Sequence, residues 1–143
     1  MAGRKDFHTV TPYMVLRDAA QAIEFYRKAF GATEISRFPD AKGKIMHAEI
    51  KIGDSPIMIV DESPDWPDMR SVQAFGGSPV QIFLYVEDVD GLVAQALEAG
   101  AKSVMPVQDK DYGRSGGVVD PFGLTWWITA HKEPASGTKS ATG

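Results

Sequence analysis

The sequence predicts an α+β fold of two β-α-β-β-β modules, and three observations carry that prediction. Two stretches, "FYRKAFGATEI" (Phe25 to Ile35) and "AQALEAGAKSV" (Ala94 to Val104), each spell a helix that stops at Gly-Ala and runs into β-rich sequence. The two stop glycines, Gly31 and Gly100, stand 69 residues apart, and the same shift carries Arg17 onto Val86 and Ile35 onto Val104. Each module also has one helix, enough to cover one face of its sheet, so the other face must be buried or curved around something.

Taken in order, "TPYMVLR" (Thr11 to Arg17) is a β-rich run. It gives way at Asp18, a good N-cap, to a helix with Ala19, Ile23, Tyr26 and Phe30 on one face and Gly31 as its stop. Three strands follow: "TEISRF", "KIMHAEIKI" after the turn "PDAKGK", and "PIMIVDE" after "GDS". "SPDWPDMRSVQAFGGSP" (Ser63 to Pro79) has neither period and reads as a connector. The grammar then repeats: "VQIFLYV", a helix capped by Asp88 with Val89, Leu92, Val93 and Ala96 inward, then strands at "KSVMPV", around "SGGVVD" and at "LTWWITA". The modules span 8–62 and 80–133, joined by 63–79. Residues 134–143, small and polar, read as a disordered tail, and 1–133 as a single domain.

With 143 residues and 43% hydrophobic content the chain can bury one ordinary core. It has no cysteine, which excludes disulfides and thiolate ligands and favours a cytoplasmic setting. No apolar run approaches membrane-spanning length, and no signal peptide is expected. The net charge of −4 is spread along the chain with no basic cluster, so neither nucleic acid nor a membrane is an expected partner. No phosphate-cradling glycine loop and no serine-nucleophile motif appears.

"TPYMVLRDAAQAIEFYRKAFGA", "GKIMHAEIKIGDSPIMIVDE", "LYVEDVDGLVAQALEAGA" and "DYGRSGGVVDPFGLTWWITAHKE" resemble the glyoxalase, bleomycin-resistance and extradiol-dioxygenase superfamily, the vicinal oxygen chelate proteins, and within it the PhnB-like branch. The resemblance runs from about Val10 to Glu133. It implies sheets curled around a cavity with the helices outside, and pairing of modules into a homodimer. In metal-dependent members, His, Glu or Gln side chains on the first and last strand of each module converge on one divalent ion. Those positions fall here on Thr11, Gln81, Trp127 and near Met58. Gln81 is a weak ligand, Thr11 a poor one, and Met58 and Trp127 do not suit a hard cation, so neither metal nor other cofactor is expected. Ion-dependent glyoxalase or dioxygenase chemistry is thereby put in doubt.

Strand parity then sorts the side chains. In "KIMHAEIKI", Met46, Ala48, Ile50 and Ile52 are expected under the helix, and Ile45, His47, Glu49 and Lys51 on the cavity face. The same parity groups Thr11 with Tyr13, Gln81 with Phe83 and Tyr85, and Trp127 with Thr125 and Thr129, while Trp126 points to the core. His47 and Glu49 can serve as an oriented base and its carboxylate, as two metal ligands, or as a hydrogen-bonded pair on a half-exposed sheet. Tyr13, Phe83, Tyr85 and Trp127 are candidates to stack on an aromatic or hydrophobic small molecule, with Met58 beside them, or simply to fill a core. Arg114 can bind an anionic ligand group or pair with a nearby carboxylate. "DPFG" reads as turn chemistry alone. The expected function is metal-independent binding or sequestration of a small molecule in the intermodule cavity. The alternatives are a lyase, isomerase or glyoxalase-type enzyme using His47 and Glu49, and an interaction subunit whose cavity is filled by its own side chains.

Overall fold

The computed structural model describes residues 4–132. The elements run β1 (Tyr13–Leu16), α1 (Ala19–Phe30), β2 (Thr33–Pro39), β3 (Ile45–Ile52), β4 (Ser55–Asp61), α2 (Val72–Phe75), β5 (Ile82–Tyr85), α3 (Val89–Ala99), β6 (Lys102–Lys110), β7 (Gly113–Val119) and β8 (Thr125–His131). The connector therefore carries one turn of helix, α2, whose N-cap Ser71 accepts the Ala74 N–H. It lacked enough residues to show a helical period. The predicted tail lies outside the described residues.

The strands form two four-stranded sheets of the same order, β1-β4-β3-β2 and β5-β8-β7-β6. In each, the first strand is parallel to the last and the other neighbours are antiparallel. Among the described residues no strand of one sheet is paired with the other. The helices join the halves instead, since α1 and α3 pack against each other as well as on their sheets.

That double contact explains why α1 is buried more widely than its spacing suggests. Ala19, Ile23, Tyr26 and Phe30 are buried as expected, and so are Ala22, Phe25 and Ala29. Gly31, at φ 69°, closes the helix in a left-handed conformation that a residue with a Cβ adopts only at a cost.

Asp120, at the head of "DPFG", is a junction as well as a turn residue, which corrects the reading from sequence. Its Oδ1 accepts the Phe122 and Leu124 backbone N–H groups, both at 2.9 Å. Its Oδ2 accepts Trp126 Nε1–H at 2.8 Å and the Tyr26 hydroxyl of α1 at 2.6 Å. Burial, and then the negative charge of Asp120, raise the Tyr26 pKa well above its ordinary value and keep the phenol protonated as a donor. One carboxylate thus ties the first module's helix to the second module's last turn.

Parity within β3 needs one correction. Ala48, Ile50 and Ile52 are buried as expected, but Met46 is exposed and Ile45 is buried. The pairing with β2 passes from Phe38 opposite His47 to Pro39 opposite Ile45, so Met46 is the extra residue of a bulge. Beyond the bulge the alternation is restored, which is why His47 and Glu49 still share a face.

Candidate functional site

The faces of the two sheets turned away from the helices carry most of the predicted side chains. On the first sheet, Tyr13, Met58, Glu49 and Ser36 stand opposite one another across β1, β4, β3 and β2. Glu49 is buried, with its side chain 7% exposed, yet it holds three contacts. His47 Nε2 lies 2.9 Å from its Oε2, and Arg4 reaches back to it with Nη1 at 2.8 Å and Nη2 at 3.3 Å. The Arg4 hydrogen bonds, helped by His47, hold the Glu49 carboxyl down at about 2. The His47 ring lies between Tyr13 and Phe38, with centroids 6.4 and 6.3 Å away. The pair proposed from strand parity is therefore a hydrogen-bonded contact, in which Glu49 is ionised and fixes the His47 ring.

On the second sheet, Phe83, Tyr85 and Trp127 form a run: Phe83 is 5.8 Å from Tyr85 and stacks on Trp127 at 6.4 Å. Gly117 sets the pose of Trp127. A Cβ built at Gly117 would fall 2.5 Å from Trp127 Cζ3, so the ring lies across bare backbone. The neighbouring Gly116 has Val93 of α3 against its other side, where a Cβ would fall 3.1 Å from Val93 Cγ2. Trp127 Nε1–H donates to Gln81 Oε1 at 2.8 Å.

Three of the candidate site residues spend their polar groups within the protein. Arg114 follows the carboxylate-pairing alternative and does not join the aromatic run. Its guanidinium makes a two-pronged pair with Asp90 of α3, at 2.7 and 3.0 Å, and a third bond to Asp109 at 3.0 Å. Its parity on β7 sends it to the helix side, and the ion pairs occupy its donors. The Thr11 hydroxyl donates to the His8 carbonyl at 3.0 Å and serves the loop before β1. Gln81 spends its amide oxygen on Trp127.

That last contact also decides how far the side chains at the family's metal-ligand positions fit an ion. Of Thr11, Met58, Gln81 and Trp127, the last two bond to each other, and Met58 offers only a soft thioether. Among the described residues no three His, Asp or Glu side chains gather in a way that would hold a metal. These residues do not fit the ion.

A cleft of about 910 Å³ opens between the modules, not filled by the chain's own side chains. Ile52, Pro56 and Ile57 wall it on one side; Ile82, Phe83, Tyr85 and Leu92 wall it on the other. A second groove, of about 710 Å³, runs beside β1 under α2 and includes Tyr13 and Phe75.

Sequence reasoning missed Arg4, Phe38 and the junction at Asp120. Arg4 lies 45 residues from Glu49 in a stretch with no periodicity, and only the three-dimensional fold brings them together. Phe38 carried a signal, an aromatic residue in a strand, but the bulge had to be known before its face was.

Comparison with known proteins agrees with this architecture. Residues 7–128 match the model of the Glyoxalase/Bleomycin resistance protein/Dioxygenase superfamily. An uncharacterized protein of Mycobacterium tuberculosis is 42% identical over 120 residues, covering 82% of this chain and 71% of that protein. The X-ray structure of an Arabidopsis thaliana gene product superposes with a TM-score of 0.69 at 25% identity, covering 86% of this chain and 98% of that one. A PhnB protein from Bacillus cereus shares the fold alone, with a TM-score of 0.62 at 15% identity over 86% of this chain and 99% of its own. No helix among the described residues is long and apolar enough to cross a membrane. Paired sheets of order 1-4-3-2, one helix per module and a match over nearly all of the described residues lead to one conclusion: the chain belongs to the glyoxalase, bleomycin-resistance protein and dioxygenase superfamily.

Proposed function

We propose that the protein binds a hydrophobic or aromatic small molecule in the intermodule cleft, without a metal, and sequesters rather than transforms it. The observation that carries this reading is the aromatic run Tyr85, Phe83 and Trp127. Phe83 and Tyr85 line the open cleft, and Trp127 adjoins it through its stack on Phe83, while the indole N–H of Trp127 and the amide oxygen of Gln81 satisfy each other. A flat ligand can slide over such rings without having to displace a polar partner. We place the chain in the PhnB-like branch on the strength of the quoted stretches, and in the cytoplasm on its lack of cysteine. No contact with nucleic acid or membrane is expected.

The ligand-binding unit in this proposal is a homodimer. Phe83 and Tyr85 of the second sheet are 48% and 68% exposed in the single chain, and a second copy would cover them. Tryptophan fluorescence, followed while the protein is titrated with a panel of neutral aromatic metabolites, tests the reading. Saturable quenching that Trp127→Ala abolishes is expected, and quenching by no member of the panel would defeat it.

The contact of His47 with Glu49 supports a second reading, proton transfer by an imidazole whose ring a carboxylate orients. Here a turnover found by substrate screening should fall by two to four orders of magnitude in His47→Ala. Unchanged turnover would remove this reading.

A further inference from the structure

We propose that the exposed face of the first sheet holds a recognition site for a cationic group, of amidinium or guanidinium type, and that Arg4 is its built-in occupant. The acid of this site belongs to the scaffold. Glu49 sits in the middle of β3, almost wholly buried, with its carboxylate oriented by His47 Nε2 at 2.9 Å. The cation does not belong to it. Arg4 lies in residues 4–10, which form no helix or strand, and its side chain is half exposed. Its guanidinium stacks 3.8 Å above the Phe7 ring, sends two N–H groups to Glu49 and also pairs, at 3.0 Å, with the exposed Asp6 of its own segment, which can hold it when it leaves Glu49.

A buried carboxylate on a rigid strand requires a positive partner, whereas a guanidinium at the end of an irregular segment has water as an alternative. The two ends of this ion pair are thus unequally committed. Around the acid, Tyr13, Phe38 and the His47 ring offer flat walls. Ser36, opposite Glu49 on β2, has a buried Oγ whose hydroxyl lies near enough to Glu49 to help hold its carboxyl ionised and which has lone pairs free to accept an N–H that Arg4 does not supply. A planar cation attached to an aromatic ring matches this set: a two-pronged bond to Glu49, a further bond to Ser36, and the ring against Tyr13 or Phe38. This is a second site, on the first sheet and apart from the intermodule cleft, and it rests on the small-molecule reading only in assuming that the protein binds small molecules at all.

The test uses the full chain with benzamidine as probe and benzamide, its neutral counterpart, as control. Binding is measured by calorimetry and by the NMR shift of the His47 ring. Arg4→Ala should tighten benzamidine binding tenfold or more and leave benzamide unchanged. Arg4→Lys should fall between, because an ammonium cannot make the two-pronged bond. In the double variant Arg4→Ala/Glu49→Gln the gain should vanish, with the amide spectrum reporting that the fold is kept. Equal affinity of wild type and Arg4→Ala for benzamidine, or an equal gain for benzamide, would overturn the proposal. Failure of the Trp127 quenching test is a separate outcome, because the His47 response reports on the other sheet.

Discussion

At the scale of single residues, Glu49 shows how a carboxylate can be buried on a strand between His47 and Lys51. Its carboxyl pKa is about 2 in the folded protein against an ordinary value near 4.5, mainly through Arg4. A depressed folded-state pKa contributes stability that is present above the unfolded value and lost as the pH falls toward the folded one. Stability should therefore decline between about pH 4.5 and 2, with Glu62, also held near 2 by Ser71 and Arg17, adding to the slope. Urea unfolding as a function of pH checks this: in Glu49→Gln the slope in that window should be shallower than in wild type.

What the sequence revealed differs from residue to residue. The spacing of His47 and Glu49 on a strand was enough to bring them to one face. Nothing local connected either of them to Arg4, because that contact depends on where the chain before β1 is laid across the sheet. Arg114 presented the reverse case: its charge was visible, but its direction depended on Asp90, on a helix 24 residues earlier.

At the scale of elements, helix faces and stops were legible because they follow from a period of 3.6 residues and from glycine. The bulge at Met46 was not, since an inserted residue leaves composition and turn signals unchanged while reversing parity on one side of it. The junction between α1 and the last turn of the second module was hidden for another reason. Asp-Pro-Phe-Gly is a competent turn sequence whether or not its aspartate has further partners. Tyr26→Phe removes one of those partners at a buried, charge-assisted bond, and should cost about 2 kcal/mol. Chemical denaturation should show this as a lower midpoint in a single transition, since the shared helical layer couples both sheets. Loss of less than about 0.5 kcal/mol would mean that Asp120 is satisfied without α1.

At the scale of the whole molecule, the chain leaves its two sheets turned outward and unpaired, with helices between them as the shared core. The second sheet's face, with Phe83 and Tyr85 about half exposed or more, is costly to leave in water, and a symmetric partner is the simplest cover. Light scattering at micromolar concentration should give twice the monomer mass. A monomer would confine the proposed pocket to the cleft within one chain. The two sheets repeat one strand order, and the positions onto which the resemblance carries the ion ligands of metal-dependent relatives hold an indole, an amide, a thioether and a hydroxyl.

Gly116 and Gly117 bear on how the two sides of the second sheet communicate. With no side chain at two successive positions of β7, the wall between the helical layer and the aromatic face is a single peptide thick, Val93 resting on one surface and Trp127 on the other. A shift of α3 toward the sheet would meet this thin stretch of backbone, with only the flanking Val107 and Val104 side chains beside it, close to the indole. Contents of the core and contents of the pocket are mechanically adjacent at this point, so substitutions in α3 that touch no ligand can still change how one is held.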